Sequence, residues 1–441
     1  MTNSVSKLNM NEMEEKPATF DHLTMLLMSS DLILFDKSFV FTFFLSSRVF
    51  TSPNDLLIKI LEKTFYYMLH HKNLTQTVVK KCISRFIFIL NQWIRGFPSD
   101  FRDVDVICTL RSIQDKFSSL DDSFGNDFDH LFSFVAKQIS NIESFEKNLI
   151  HIHQESVKKL NKKLSDLNIL DVCDAPSALA NQLTCIELER VKNVGAEEFL
   201  NFYMTSQSSK IPPSSQSVQI SDVCKKNFRV YLNELKQACQ TDILIEKTKY
   251  TDSSFKRTSN LLAYISWFNR VSWLVCTEIV KISDLEKRVK IVDFFIDTAL
   301  YCYRVRNYNS LMAIITGLQS YPTSRLKETW NYVDKNKWNK LVYFSDPLNN
   351  YRNYRNLFKN NKQKKPDKLI IPAFSIIMKD LNFYFNNIST MTKKNFIGIS
   401  ENMDQPNFPN NAYISNYLLT EPLLREDSCF EKLSTQIKKL V

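Results

Sequence analysis

The side chains able to do covalent chemistry are unevenly placed along this chain of 441 residues. All six histidines (His22, His70, His71, His130, His151 and His153) lie at or before position 153, so beyond it no imidazole can act as base, nucleophile partner or metal ligand. The five glycines, Gly96, Gly125, Gly195, Gly317 and Gly398, are too far apart for a phosphate-cradling loop, which excludes a Walker loop and a Rossmann turn. Nine cysteines, at 82, 108, 173, 185, 224, 239, 276, 302 and 429, form no Cys-x-x-Cys pair and often stand in apolar runs such as Ser272-Trp273-Leu274-Val275-Cys276. An odd, scattered set reads as reduced, buried thiols of a cytosolic protein.

Charge offers a second kind of chemistry. The formal net charge is +10, and its densest patch runs from Arg352 to Lys368, with Arg352, Arg355, Lys359, Lys362, Lys364, Lys365 and Lys368 against Asp367 alone. That patch reads either as a solvated loop or as a contact for an anionic membrane surface. Nucleic acid is not an expected partner, because no finger, sheet-aromatic motif or repeated basic helix accompanies the patch. The opening Met1 to Lys16 carries Glu12, Glu14 and Glu15 and lacks the basic start and apolar core of a secretory leader. The apolar stretch Leu32 to Leu45 is cut by Asp36 and Lys37, short of the roughly 18 residues of a membrane span. A cytoplasmic protein is the expectation.

The elements that position these groups read as helices. Val79, Cys82, Ile83, Phe86, Leu90, Trp93 and Phe97 recur every three or four residues, and the pattern stops at Gly96 and Pro98. The preceding helix places Lys59, Glu62 and Lys63 on its polar side, with a buried stripe expected at Leu56, Ile60 and Leu61. Leu285 to Tyr303 and Ser310 to Leu318 are apolar almost all round, which predicts helices in the middle of a domain. Hairpin dipeptides are absent and alternating runs few, so the fold is expected to be all-α. The acidic stretch Asp121 to Asp129 punctuates the N-terminal helices. A polar helix with Lys158, Lys159, Lys162 and Lys163 reads as a connector, and Ser206 to Ser221 and Lys247 to Ser259 have loop composition around a helix-like Cys224 to Cys239. Asn-Ser-Leu-Met-Ala-Ile and Trp330 read first as core and packing anchor, and Arg325, four residues before Thr329 on a predicted helix, as either a surface charge or a buried clamp.

Two blocks go further. Phe39 to Leu57, with Phe43-Phe44-Leu45-Ser46-Ser47-Arg48-Val49-Phe50 at its centre, and Ile89-Leu90-Asn91-Gln92-Trp93-Ile94 resemble the Ras exchanger motif, the helical domain ahead of the catalytic domain in Ras-type guanine nucleotide exchange factors. Ala180 to Glu187, Asn260 to Ile279 with Phe268-Asn269-Arg270, Arg306 to Ile314, Gly317 to Trp330, Tyr351-Arg352-Asn353-Tyr354-Arg355 and Ile371-Pro372-Ala373-Phe374 resemble that catalytic domain in order and spacing.

The resemblance implies two helical domains. A tail at 1–17 would precede an exchanger motif at 18–135, a helical connector at 136–170 and a catalytic bundle at 171–441, which carries a polar insertion around 206–259 and a protruding helical hairpin. It implies promotion of GDP release from a Ras-subfamily small GTPase, of Ras or Rap/Rsr type, by non-covalent displacement of a switch region, with no cofactor and no metal. The hairpin would begin near Pro372 and Phe374 and include Lys379, Asp380, Leu381, Asn382 and Asn386. The gripping pocket would use Phe268, Asn269, Arg270, Gln319 and Arg325. Asn386 stands where the family usually has an acidic residue and Gln319 where it commonly has Asn. The return leg, Ile397 to Pro406 with Gly398 and Pro409, opposes a long helix. The alternative is a degenerate module of the same fold that binds a GTPase or scaffold without exchange. Peripheral recruitment to a membrane accompanies either reading.

Overall fold

Apolar residues at three- and four-residue spacing, with so little glycine, favour helices. The computed structural model describes residues 19–28, 37–69, 75–160, 167–208, 259–364, 368–386, 408–424 and 427–439. Among them the regular elements are helical, and an isolated parallel bridge joins Asn307 and Ile371. The chain divides into two compact units, residues 1–144 and 145–441.

The N-terminal unit contains α1 (Phe20–Met28), α2 (Lys37–Ser47), α3 (Pro53–Leu69), α4 (Gln76–Gly96), a 3₁₀ turn (Pro98–Arg102), α5 (Val104–Ser118) and the start of α6 (Ser123–Leu160). α4 opens on Thr75, whose hydroxyl accepts the Val78 N–H, and ends at Gly96 as its sequence predicts. In α3 the buried face is Leu56, Leu57, Ile60, Thr64 and Met68, while Leu61 is only half-buried. Leu56 and Ile60 of the expected stripe are buried, and Leu61 lies at its edge because the face is centred on the Leu57-Ile60-Thr64-Met68 row. Phe44 stacks on Trp93 at 4.7 Å, and the Trp93 indole N–H donates to Asp100 at 2.7 Å. The acidic stretch breaks the chain only at Ser119 to Asp122. Asp121 then accepts the Ser123 N–H at 3.0 Å, and Asp127 and Asp129 fall beyond the first turn of α6, where Asp129 accepts Gln114 Nε2 at 2.9 Å. Lys158 and Lys159 are not on a separate helix but at the C-terminal end of α6; Lys162 and Lys163 lie outside the described residues.

The C-terminal unit holds α7 (Ile169–Val172), α8 (Pro176–Lys192), α9 (Ala196–Ser208), α10 (Ser259–Val280), α11 (Leu285–Arg304), α12 (Tyr308–Gln319), α13 (Tyr321–Ser324), α14 (Lys327–Tyr332), α15 (Lys335–Ser345), α16 (Leu348–Lys364), α17 (Phe374–Asn386), α18 (Ala412–Thr420) and α19 (Asp427–Lys439). The polar insertion, including Cys224 to Cys239, and the hairpin's return leg lie outside the described residues. α12 is buried from Tyr308 to Ile315, as its all-round apolarity predicts, and packs on α10, α11 and α8. Gly317 lets α10 and α12 approach. A Cβ there would stand 2.6 Å from the Ser272 carbonyl oxygen and 2.7 Å from Val275 Cβ. Gly317→Ala is therefore expected to cost about 1–3 kcal/mol, read as a lower urea midpoint at unchanged m-value.

Arg325 does not share a helix with Thr329. It caps α13, the chain turns through Leu326, and α14 begins afresh. The buried clamp on Thr329 is instead Arg288, 1% exposed, whose Nε donates to the Thr329 hydroxyl at 2.8 Å and whose Nη1 donates to the carbonyls of Ile282 and Ser283.

Candidate functional site

The first residues of α17 are held by groups from three other elements. α11 ends at Arg304, and Arg306 takes a left-handed conformation (φ 64°) that turns the chain into Asn307, the N-cap of α12. Against this corner lies residue 371: its N–H donates to the Arg306 carbonyl at 3.0 Å, and its carbonyl accepts the Tyr308 N–H at 2.9 Å. Pro372 has no N–H to place. The Ala373 N–H donates to the Tyr354 hydroxyl on α16 at 2.8 Å, and the Phe374 N–H donates to Asn309 Oδ1 on α12 at 3.0 Å. Helix starts leave such N–H groups without intrahelical acceptors, and here side chains of the bundle supply them.

Asn309 is itself fixed from behind by Glu187. This carboxylate on α8 is 1% exposed and accepts Asn309 Nδ2 at 2.6 Å, the Ser310 hydroxyl at 2.8 Å and the Trp267 indole N–H at 3.0 Å, with a further hydrogen bond from Tyr264. Burial raises the Glu187 pKa, and the four donors oppose that rise by favouring the ionised form. Thr184, Asn307 and Ser310 extend the network, with Asn307 Nδ2 donating to Thr184 Oγ1 at 3.1 Å and Ser310 Oγ at 2.9 Å. A run of polar bonds thus joins α8, α10 and α12 to the first residue of α17.

The apolar side of this base is Phe374 itself. Its ring, 7% exposed, meets Tyr264 edge-on at 4.8 Å and Phe199 at 5.8 Å, in a small core with Leu261 and Ile265. Glu198 on α9 ties that core together, accepting the Leu261 N–H at 2.9 Å and the Gly195 N–H at 3.2 Å. Burial pushes its pKa up to about 8. The folded state therefore holds a proton that the unfolded chain releases near the ordinary glutamate value, so the stability this group contributes is fully present below about pH 4.5 and is lost as pH rises through about 8. Glu198→Gln is expected to flatten that part of the stability profile, removing about 3 kcal/mol of the decline between pH 5 and 8.5 in urea unfolding.

The residues expected from the sequence fall into two groups. On α17, Phe374 and Leu381 are buried and Asn382 is half-buried. Lys379 is exposed, its ammonium 5.3 Å from the Tyr351 ring centroid. Asp380 receives both arms of the Arg355 guanidinium, at 2.8 and 2.7 Å. Asn386 is the last residue of the helix, and its side chain lies outside the described atoms. In the second group, Phe268 and Asn269 are half-buried on α10. Arg270 donates to the carbonyls of Leu418 (2.6 Å) and Glu421 (2.8 Å), holding the end of α18. Gln319 is exposed at the end of α12, and the half-buried Arg325 sits 5.1 Å over the ring of Tyr321, which is 63% exposed. Gln319, Tyr321 and Arg325 thus present a polar and aromatic surface, whereas Arg270 is occupied inside the unit. Sequence reasoning missed Glu187, Asn309 and Tyr354 as anchors. Each lies within a block already quoted, where nothing local marks the distant partner it meets.

Comparison with known proteins agrees with this architecture. Residues 178–411 match the RasGEF domain, and residues 15–116 match the RasGEF N-terminal motif. The chain is 29% identical over 422 residues to Ras-GEF domain-containing family member 1B-A of Danio rerio, an alignment covering 90% of this chain and 75% of that protein. Family member 1B of Bos taurus is 29% identical, with 90% of this chain and 82% of that protein covered, and family member 1C of Mus musculus is 27% identical, with 90% and 81% covered. With the catalytic-domain match alone spanning more than half of its length, the chain belongs to the RasGEF domain family.

Proposed function

We propose that this protein is a guanine nucleotide exchange factor that promotes GDP release from a Ras-subfamily small GTPase, with α17 as the element that displaces the GTPase's switch. Family membership implies a small-GTPase partner. The observation that carries the finer reading is the anchorage of α17: a helix that must push into a partner needs a base that does not yield, and Asn309, Tyr354 and Phe374 supply one. A small GTPase holds its nucleotide through phosphate and Mg²⁺ contacts with ordered switch loops. A protein that binds the nucleotide-free state more tightly must, by linkage, weaken nucleotide binding by the same factor. Gln319, Tyr321 and Arg325 are placed to grip the GTPase while α17 displaces. The exposed Arg352, Lys359, Lys362 and Lys368 are suited to an anionic membrane face, so that exchange would occur where lipid-anchored GTPases reside.

The test is release of fluorescent GDP from Ras-, Rap- and Ral-type GTPases. At least one member is expected to lose nucleotide tenfold faster or more with the full chain present. Binding to nucleotide-free GTPase without faster release from any member would assign the protein instead to a docking role without exchange.

A further inference from the structure

The contacts of α16 with α17 point to a role for Arg355 that goes beyond docking or displacement and rests on the displacement reading above. α17 spans 13 residues, so its axis is about 20 Å long at 1.5 Å per residue. A helix fixed only at its first turn pivots: a tilt of about 10° at the base would move the far end by about 3.5 Å, enough to misplace a displacing group. Leu381 is buried further along the helix, and a polar hold accompanies it at that level. Asp380 lies six residues after Phe374, about 9 Å along the axis, and it is there that Arg355 closes a bidentate pair.

Arg355 is well placed to resist movement. Its Nε donates to the Asn350 carbonyl at 2.7 Å, so the guanidinium joins α17 to the turn Asn349-Asn350-Tyr351, whose residues all have positive φ (52°, 57° and 56°). Tyr351 in that turn also lies against the Lys379 ammonium. α16 is in turn seated on the core, with Tyr354 edge-on to Tyr308 at 5.8 Å and Asn361 Nδ2 donating to the Tyr308 hydroxyl at 2.6 Å. The planar fork therefore links this turn to the middle of α17, which a lysine's single ammonium cannot reproduce.

We infer that Arg355 is a positioning residue that sets the angle of α17, and that Asp380 serves this ion pair rather than contacting the GTPase. Both side chains are about a third exposed, and ion pairs at that exposure add little to global stability. Loss of the pair should therefore alter the helix's angle without unfolding the unit.

Two measurements on the full chain test this. In hydrogen–deuterium exchange, Arg355→Ala should raise exchange of the 374–383 backbone amides about tenfold while those of α10 stay protected. In nucleotide release, it should lower the maximal rate about tenfold at unchanged KM for the GDP-bound GTPase, with Arg355→Lys intermediate in both assays. Unchanged exchange of the 374–383 amides overturns the inference whatever the release rates are, and so does a looser helix with an unaltered maximal rate. If the native chain releases nucleotide from no GTPase, the displacement reading fails by itself, and the amide measurement still decides whether Arg355 holds the helix.

Discussion

Replacing Glu187 with alanine is expected to bring the C-terminal unit to the edge of unfolding. Four donors converge on this carboxylate, from Trp267, Asn309, Ser310 and Tyr264, and alanine offers none of them an acceptor. A buried donor left unsatisfied costs about 1–3 kcal/mol, so four of them cost about 4–12 kcal/mol, comparable to the roughly 5–15 kcal/mol of a whole domain's stability. Glutamine keeps one acceptor oxygen but turns its own NH₂ toward other donors, so Glu187→Gln should cost less, about 2–3 kcal/mol. Urea unfolding followed by tryptophan fluorescence separates the two, because Trp267 reports on the site directly. A loss under about 1 kcal/mol for the alanine variant would mean that water had entered and replaced the carboxylate.

Phe374→Ala carries the second large effect. The ring is buried between Tyr264 and Phe199, so its removal leaves a cavity worth about 3–5 kcal/mol. This ring also belongs to the residue whose N–H is bonded to Asn309. The variant should lose exchange activity more steeply than global stability, since the first turn of α17 is loosened on its apolar side while its polar bonds remain. Thermal unfolding and GDP release measured on the same preparation check this. A variant with native release rates would show that the polar anchors alone suffice.

Much of the helical framework could be read before the coordinates. α4 declared itself through periodicity and an end punctuated by Gly96 and Pro98, both local signals. α12 declared itself through unbroken apolarity. The failures share one cause, which is that the deciding partner lies far away in sequence. Glu187 and Asn309 are 122 residues apart, and nothing in the local pattern of either shows that two polar side chains meet inside a core. Arg355 read as one charge in a basic run until Asp380 was placed opposite it. Arg325 was assigned to a helix that in fact ends there, while the true partner of Thr329, Arg288, lies 41 residues upstream. Hydrophobic periodicity reports which face of an element turns inward; it carries no record of which distant donor finds which acceptor.

The bonds that close the C-terminal unit have a consequence for how the chain reaches its native state. Gln182 donates to the carbonyl of Pro409 and accepts the Ser415 hydroxyl, Glu278 accepts the Tyr417 hydroxyl, and Arg270 reaches the carbonyls of Leu418 and Glu421. These links span 139 to 233 residues of chain. Such non-local closures carry a loop-closure cost, so this part of the bundle should form late in folding. During synthesis α8 and α10 emerge long before the segment that covers them. A nascent chain arrested before residue 408 would display those unmet groups to chaperones until the 408–424 stretch completed the bundle.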